Sequence, residues 1–138
     1  MTKRIFISIA SVALFSSMMI LFSCKKDAGS GGQATIRGKV YANYYNYTFT
    51  TLLGGGYAPE RDIYIIYGNS YSYSDRLRTN YDGSYEFKYL RKGTYQIYVY
   101  SSDSTGIYLS GTYPVTASAE ITKNNQVITL PDIVICSN

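Results

Sequence analysis

A chain of 138 residues has room for one domain and little else, and its 17 Tyr with no Trp and no His favour a pleated surface over catalysis by a neutral-pH base. The net charge is +4, from 13 basic and 9 acidic groups. Two of the basic groups, Lys3 and Arg4, fall in a segment read below as cleaved; the remaining 13 − 2 = 11 are scattered against the same 9 acidic groups, too mild and dispersed a balance for a nucleic-acid partner.

The first four residues end in Lys3-Arg4, and residues 5–22 carry no charge and are rich in Ile, Phe, Leu, Val and Met. A positive start followed by an apolar stretch is the layout of a secretory signal. A spanning helix of ~17–25 residues has the same look, so the sequence that follows decides between the two. There, Leu21-Phe22-Ser23-Cys24 resembles the bacterial lipobox, with Phe22 bulkier than usual at the middle position. The resemblance implies a signal peptide over 1–23, cleavage before Cys24, and a diacylglycerol on its sulfur. Each buried methylene contributes ~0.8 kcal/mol, and two chains hold firmly where one holds marginally.

Residues 24–33 then comprise the lipidated cysteine and a charged, Gly/Ser-rich run that reads as a flexible tether of roughly 15–18 Å. Lys25 stands where an Asp would resemble an inner-membrane retention signal, which points to the outer membrane. The Lys25-Lys26-Asp27 run is similar to the export tags of some surface lipoproteins, but has only one acidic residue. Whether the domain faces the periplasm or the outside stays open.

From residue 34 onward, short alternating runs are separated by turn residues, the pattern of an all-β sandwich. Residues 35–41 alternate, with Ile36, Gly38 and Val40 on one face. Residues 63–67 form a compact apolar run. Asn80-Tyr81-Asp82-Gly83 is a turn signal, after which residues 85–88 alternate. Arg91-Lys92-Gly93 turns the chain again into residues 95–100. Residues 119–122 and 127–130 flank Lys123-Asn124-Asn125-Gln126, a hairpin-like turn. Residues 133–135 close the last strand, and Pro131 marks an edge or a bulge within it. No helical periodicity is present after Gly32.

Thr79, Asp82-Gly83, the pair Tyr85 and Phe87, Leu90, Gly93 and Tyr95 together resemble the carboxypeptidase regulatory-like domain and the related collagen-adhesin B-type domains. Residues 36–40 resemble that family's first strand and residues 130–135 its last. The resemblance implies a seven-strand, transthyretin-like (prealbumin-like) Greek-key sandwich over 34–138. It also implies an accessory role without chemistry. Collagen-adhesin domains join a first-strand Lys to a last-strand Asn or Asp; Lys39 and Asp132 are the nearest equivalents, yet Lys39 lies opposite the core face, so no cross-link is expected.

Nothing in the pattern demands an enzyme or a cofactor. Cys136 has no histidine to activate it and, with Cys24 acylated, no cysteine to pair with. Glu60, Asp62, Asp75, Asp82, Glu86, Asp103, Glu120 and Asp132 are dispersed; a pair assembled in space would revive a hydrolase reading. Asp82 and Asp103 sit in turns, where structural hydrogen bonding explains them without a metal. What stands out is tyrosine at outward positions: Tyr44, Tyr45, Tyr47 and Tyr57 in a long early segment, and Tyr71 and Tyr73 in a Ser-rich loop. Rigid rings with a polar tip suit recognition. These six are the candidate ligand-binding residues of a non-catalytic envelope lipoprotein with a glycan or protein partner. The alternative is a structural subunit of an outer-membrane complex.

Overall fold

Burial with a period of two organises the long strands. The computed structural model describes residues 27–138, so the signal peptide expected over 1–23 and the lipidation of Cys24 lie outside the described residues. In β1 (Ser30–Tyr45) Ala34, Ile36, Val40 and Ala42 are buried. In β5 (Ser84–Leu90) Tyr85 and Phe87 are buried, and in β6 (Gly93–Ser102) Tyr95, Ile97, Val99 and Ser101. Intervening side chains meet water or the sheet's outer surface, so each strand presents one apolar face that must be covered.

Two sheets cover each other. The first is built on β1, which runs antiparallel to β5 and then to β2 (Leu52–Tyr57) along one side. Along its other side β8 (Val127–Thr129) and β9 (Ile133–Ser137) run parallel to it. The second sheet has the order β4-β3-β6-β7, all antiparallel, with β3 at Asp62–Tyr67, β4 at Asp75–Arg78 and β7 at Thr112–Ile121. Ile36, Val40 and Ile135 of the first sheet and Ile63, Ile65 and Ile97 of the second are buried between them. The domain is an all-β sandwich, and no helix occurs among the described residues.

β1 changes partners at Val40. Its N–H donates to the Gly83 carbonyl at 2.9 Å, and its carbonyl accepts from Ala58 N–H at 2.9 Å. Gly83 sits at φ 73°, and a Cβ there would lie 2.8 Å from the Val40 oxygen, so the expected Asp82-Gly83 turn needs glycine for both reasons. On the far side, Leu130 N–H donates to Arg37 O, and Pro131, with no N–H, splits the last strand into β8 and β9. Taking that split pair as one, and setting aside the hairpin strand β2, the nine strands reduce to the seven expected.

The structure differs from expectation in three places. Residues 30–33, expected in the tether, belong to β1. Glycine there serves close approach: a Cβ on Gly32 would lie 2.0 Å from the Leu90 carbonyl oxygen. The turn at 123–126 is an arch, not a hairpin; β7 pairs with β6 in one sheet and β8 with β1 in the other. Finally, β1 runs past the alternation expected over 35–41 through Tyr45 and returns as β2, so residues 42–45 are strand.

Candidate functional site

Alternation places a row of tyrosines on the outer face of the second sheet. In β3, Ile63 and Ile65 point to the core and Tyr64 points away; in β6, Ile97 and Val99 point in and Tyr98 and Tyr100 out. The register pairs Tyr64 with Tyr98, and their rings stack with centroids 4.9 Å apart and planes 12° from parallel. Tyr100 meets Tyr64 edge-on at 5.8 Å and Tyr98 at 5.5 Å. The β3–β4 loop folds Tyr73 back onto Tyr64, edge to face at 5.2 Å. Such pairs contribute ~0.5–1.5 kcal/mol each beyond area burial and hold one another's rotamers.

Beside this cluster runs an open groove of about 320 Å³, lined among others by Tyr71, Tyr73, Gln96, Tyr98, Tyr100 and Thr116. Tyr73 and Tyr100 remain 55% and 48% exposed, so their rings are available to a ligand. The Tyr98 hydroxyl is pushed up from its ordinary pKa, first by burial and then by Tyr100, Tyr64 and Tyr73 beside it. It stays neutral over the physiological range and can both donate and accept. The surface therefore offers flat apolar rings edged by hydroxyls and one amide, with no charge among the six residues named.

The six tyrosines singled out from sequence do not form one patch. Tyr71 and Tyr73 line the groove. Tyr57 lies on the other sheet, edge-on to Tyr41 at 5.6 Å, with Lys39 Nζ 4.4 Å from its ring centroid. Lys39 also pairs with Asp82 at 3.4 Å. Tyr45 packs on Phe49 at 5.9 Å, and Tyr47 is exposed near the tip of the β1–β2 hairpin. Tyr44 is half-buried against the core margin. Tyr64, Tyr98 and Tyr100 were outside the candidate set. Their signal was the alternation Ile-Tyr-Ile in β3 and Ile-Tyr-Val-Tyr in β6, which places tyrosines outward but does not say that the two strands are neighbours.

Asp82 and Asp103 serve turns, while Glu60, Asp62 and Glu86 form ion pairs with Arg76, Arg78 and Lys88. Asp82 accepts from Ser84 Oγ at 2.6 Å and Ser84 N–H at 3.1 Å, which with Lys39 holds its carboxyl below the usual range. Asp103 accepts from Thr105 Oγ at 2.6 Å and Tyr108 N–H at 2.8 Å, with the same effect. Among the described residues no three His, Cys, Asp or Glu gather as metal ligands. Cys136 is half-buried, and its N–H donates to Ser101 Oγ.

No family model and no curated protein matches this chain. Among solved structures it is similar to a candidate carbohydrate-binding protein from Pseudomonas aeruginosa, at 12% identity and a TM-score of 0.45, over 80% of this chain and 92% of that one. It is also similar to an (S)-allantoin synthase at 11% identity and a TM-score of 0.38, where 78% of this chain spans only 43% of the enzyme.

Proposed function

We propose that this chain is a non-catalytic, lipid-anchored envelope module that binds a glycan along the tyrosine groove of its second sheet. The observation that carries the reading is the arrangement of Tyr64, Tyr73, Tyr98 and Tyr100 on one outer face beside an open groove. A pyranose presents C–H groups to an aromatic face and hydroxyls around its rim. Tyr rings supply the first contact, and tyrosyl hydroxyls and the Gln96 amide the second. The absence of His and the commitment of Asp82 and Asp103 to turns support a role without proton transfer. The lipobox-like segment supports anchoring through Cys24, and Lys25 supports the outer membrane. The motif around Asp82-Gly83 supports kinship with carboxypeptidase regulatory-like domains.

The test is a titration of the mature chain against a panel of soluble glycans. Tyr73→Ala and Tyr100→Ala are expected to weaken binding at least tenfold at a temperature where both variants remain folded, with the melting temperature lowered only by the lost ring pairs; Tyr47→Ala, distant from the groove, leaves binding unchanged. Binding that survives both groove substitutions overturns the reading. Labelling with a palmitate analogue, lost in Cys24→Ala, tests the anchor separately.

A second reading, a subunit of an outer-membrane complex, has its own observation. Tyr44 lies beside Ser137 in the register, and Cys136 bonds to Ser101 at the end of β6, so the hairpin at 46–51 and the loop at 103–111 share one end of the sandwich. Exposed Tyr47, Leu52, Leu53, Ile107 and Leu109 cluster in or beside these loops, an apolar surface that suits a protein partner. A fixed protein that co-purifies with the wild-type chain and is lost on Leu109→Asp, together with indifference to every glycan, would favour it.

A further inference from the structure

The four-stranded sheet ends in β7, whose far side has no strand partner among the described residues. The ladder fixes which backbone groups point there. Gly68 N–H donates to Thr94 O, and Ser74 N–H donates to Ile65 O. Even-numbered residues of β6 therefore bond towards β3, and odd-numbered ones bond towards β7. Val115, Ala117 and Ala119, which sit opposite Val99, Ile97 and Tyr95, use their backbone groups within the sheet. The N–H and C=O of Thr116, Ser118 and Glu120 point outward. Pro114 occupies the same outward parity, where its missing N–H breaks no bond to β6.

Of the other edges, β2 is uncharged but only six residues long with three consecutive glycines, and the rest are guarded. β4 has four residues, three of them charged: Asp75, Arg76 and Arg78. The β8–β9 edge is broken at Pro131, and Ser101 Oγ takes up the Cys136 N–H. β5 carries the ion pair Glu86–Lys88. In contrast, β7 is ten residues long with Glu120 as its one charged side chain. Val115 and Ala117, on its core face, stay half-buried because nothing lies beyond them. A row of unpaired backbone donors and acceptors at Thr116, Ser118 and Glu120, on an edge with one charge, is a template for one kind of occupant, an extended strand.

We propose that β7 pairs antiparallel with β7 of a second copy about a two-fold axis through Ala117, joining two four-stranded sheets into one. In that register Thr116 faces the partner's Ser118, and both are outward-pointing residues that exchange N–H and C=O. Glu120 faces the partner's Pro114, whose carbonyl accepts the Glu120 N–H and whose missing N–H leaves the return bond unmade, so the paired stretch ends there. The two Glu120 side chains stay several residues apart, so no like charges meet. The Thr116–Ser118 pairs across the axis and the separation of the Glu120 charges suit a second copy of this edge. Anchoring on one membrane, which rests on the lipid reading above, raises the local concentration that an interface of this size needs. Thr116 and Pro114 also line the tyrosine groove, so pairing sets two grooves side by side on one continuous face.

The experiment is disulfide trapping of the full chain in native membranes, in a Cys136→Ser background. Residues opposite themselves on a two-fold axis lie about 4.5 Å apart in Cα position at a non-hydrogen-bonded pair. Ala117→Cys is expected to give a covalent dimer at least tenfold above Tyr47→Cys, a collision control at an exposed tip. Adding Ser118→Pro removes an outward N–H without touching the β6 ladder; it is expected to abolish the dimer while the purified chain keeps its melting temperature. Cys136→Ser alone reports any bond through Cys24, so a failed anchor is told apart from a failed interface. Ala117→Cys cross-linking no better than Tyr47→Cys, or to a different protein, overturns the proposal, as does a dimer that survives Ser118→Pro.

Discussion

The Tyr95 hydroxyl holds Gly29: it accepts the Gly29 N–H at 3.0 Å and donates to the Arg91 carbonyl at 2.6 Å, while Arg91 N–H donates to Gly29 O at 2.8 Å. A core tyrosine 66 residues away in sequence thus fixes Gly29, just ahead of β1, against the β5–β6 turn. Tyr95→Phe keeps the ring and removes the clasp. The buried Gly29 N–H is then left without a partner, a loss of about 1–3 kcal/mol. Urea denaturation should report that loss, and hydrogen exchange should localise it to Gly29. Unchanged exchange there would remove the clasp from the argument.

Tyr85 presents the opposite case. Its hydroxyl is buried and has no hydrogen-bond partner in the structure, and burial, then the charge of Asp132, pushes its pKa up to about 12. Tyr85→Phe removes an unsatisfied polar atom and keeps the packing. It should be neutral or stabilise by up to about 1 kcal/mol near pH 7.

The same group sets an alkaline limit. The unfolded phenol ionises near 10 and the folded one near 12, so the unfolded state sheds its proton first and stability falls as pH rises between those values. Over that window the wild type should lose up to about 2–3 kcal/mol from this group. Tyr85→Phe should flatten the slope. Equal slopes in the two proteins would refute the assignment.

Gly32→Ala tests close approach against flexibility. A Cβ would lie 2.0 Å from the Leu90 oxygen, a backbone atom that cannot swing aside. Overpacking of this kind destabilises by ~1–3 kcal/mol. Gly54→Ala, where a Cβ meets nothing within 4 Å, should change stability by less than about 0.5 kcal/mol. Similar melting temperatures for the two variants would return residues 30–33 to the tether.

Asp103 organises the loop at 103–111 through Thr105 and Tyr108. Its carboxyl is held below the usual 3.8, so its contribution is complete above that value and disappears as pH falls through the lower folded pKa. An NMR titration should find the midpoint below 3.8, with the Thr105 and Tyr108 amides shifting together. A midpoint at or above 3.8 would contradict the loop geometry.

Local chemistry in the sequence determined a good deal. Alternation of Ile36 with Arg37, and of Tyr85 and Phe87 with Glu86, announces half-buried strands because successive side chains leave a pleat on opposite sides. Asp82-Gly83 announces its turn because glycine alone adopts φ 73° against a backbone oxygen without strain. The lipobox-like stretch ending at Cys24 is likewise a statement of residue order. Strand neighbours were decided elsewhere. Tyr64 and Tyr98 stack only because β3 lies beside β6 in one register, and Lys123-Asn124-Asn125-Gln126 turns to the opposite sheet, not back along β7, because β1 has a free side for β8 and β9. Gly32 reads as slack until the Leu90 carbonyl is placed against it. Hydrogen bonding between strands joins any two backbones, so the sequence carries the faces of each strand, and only packing of the two sheets selects the partners that build a site.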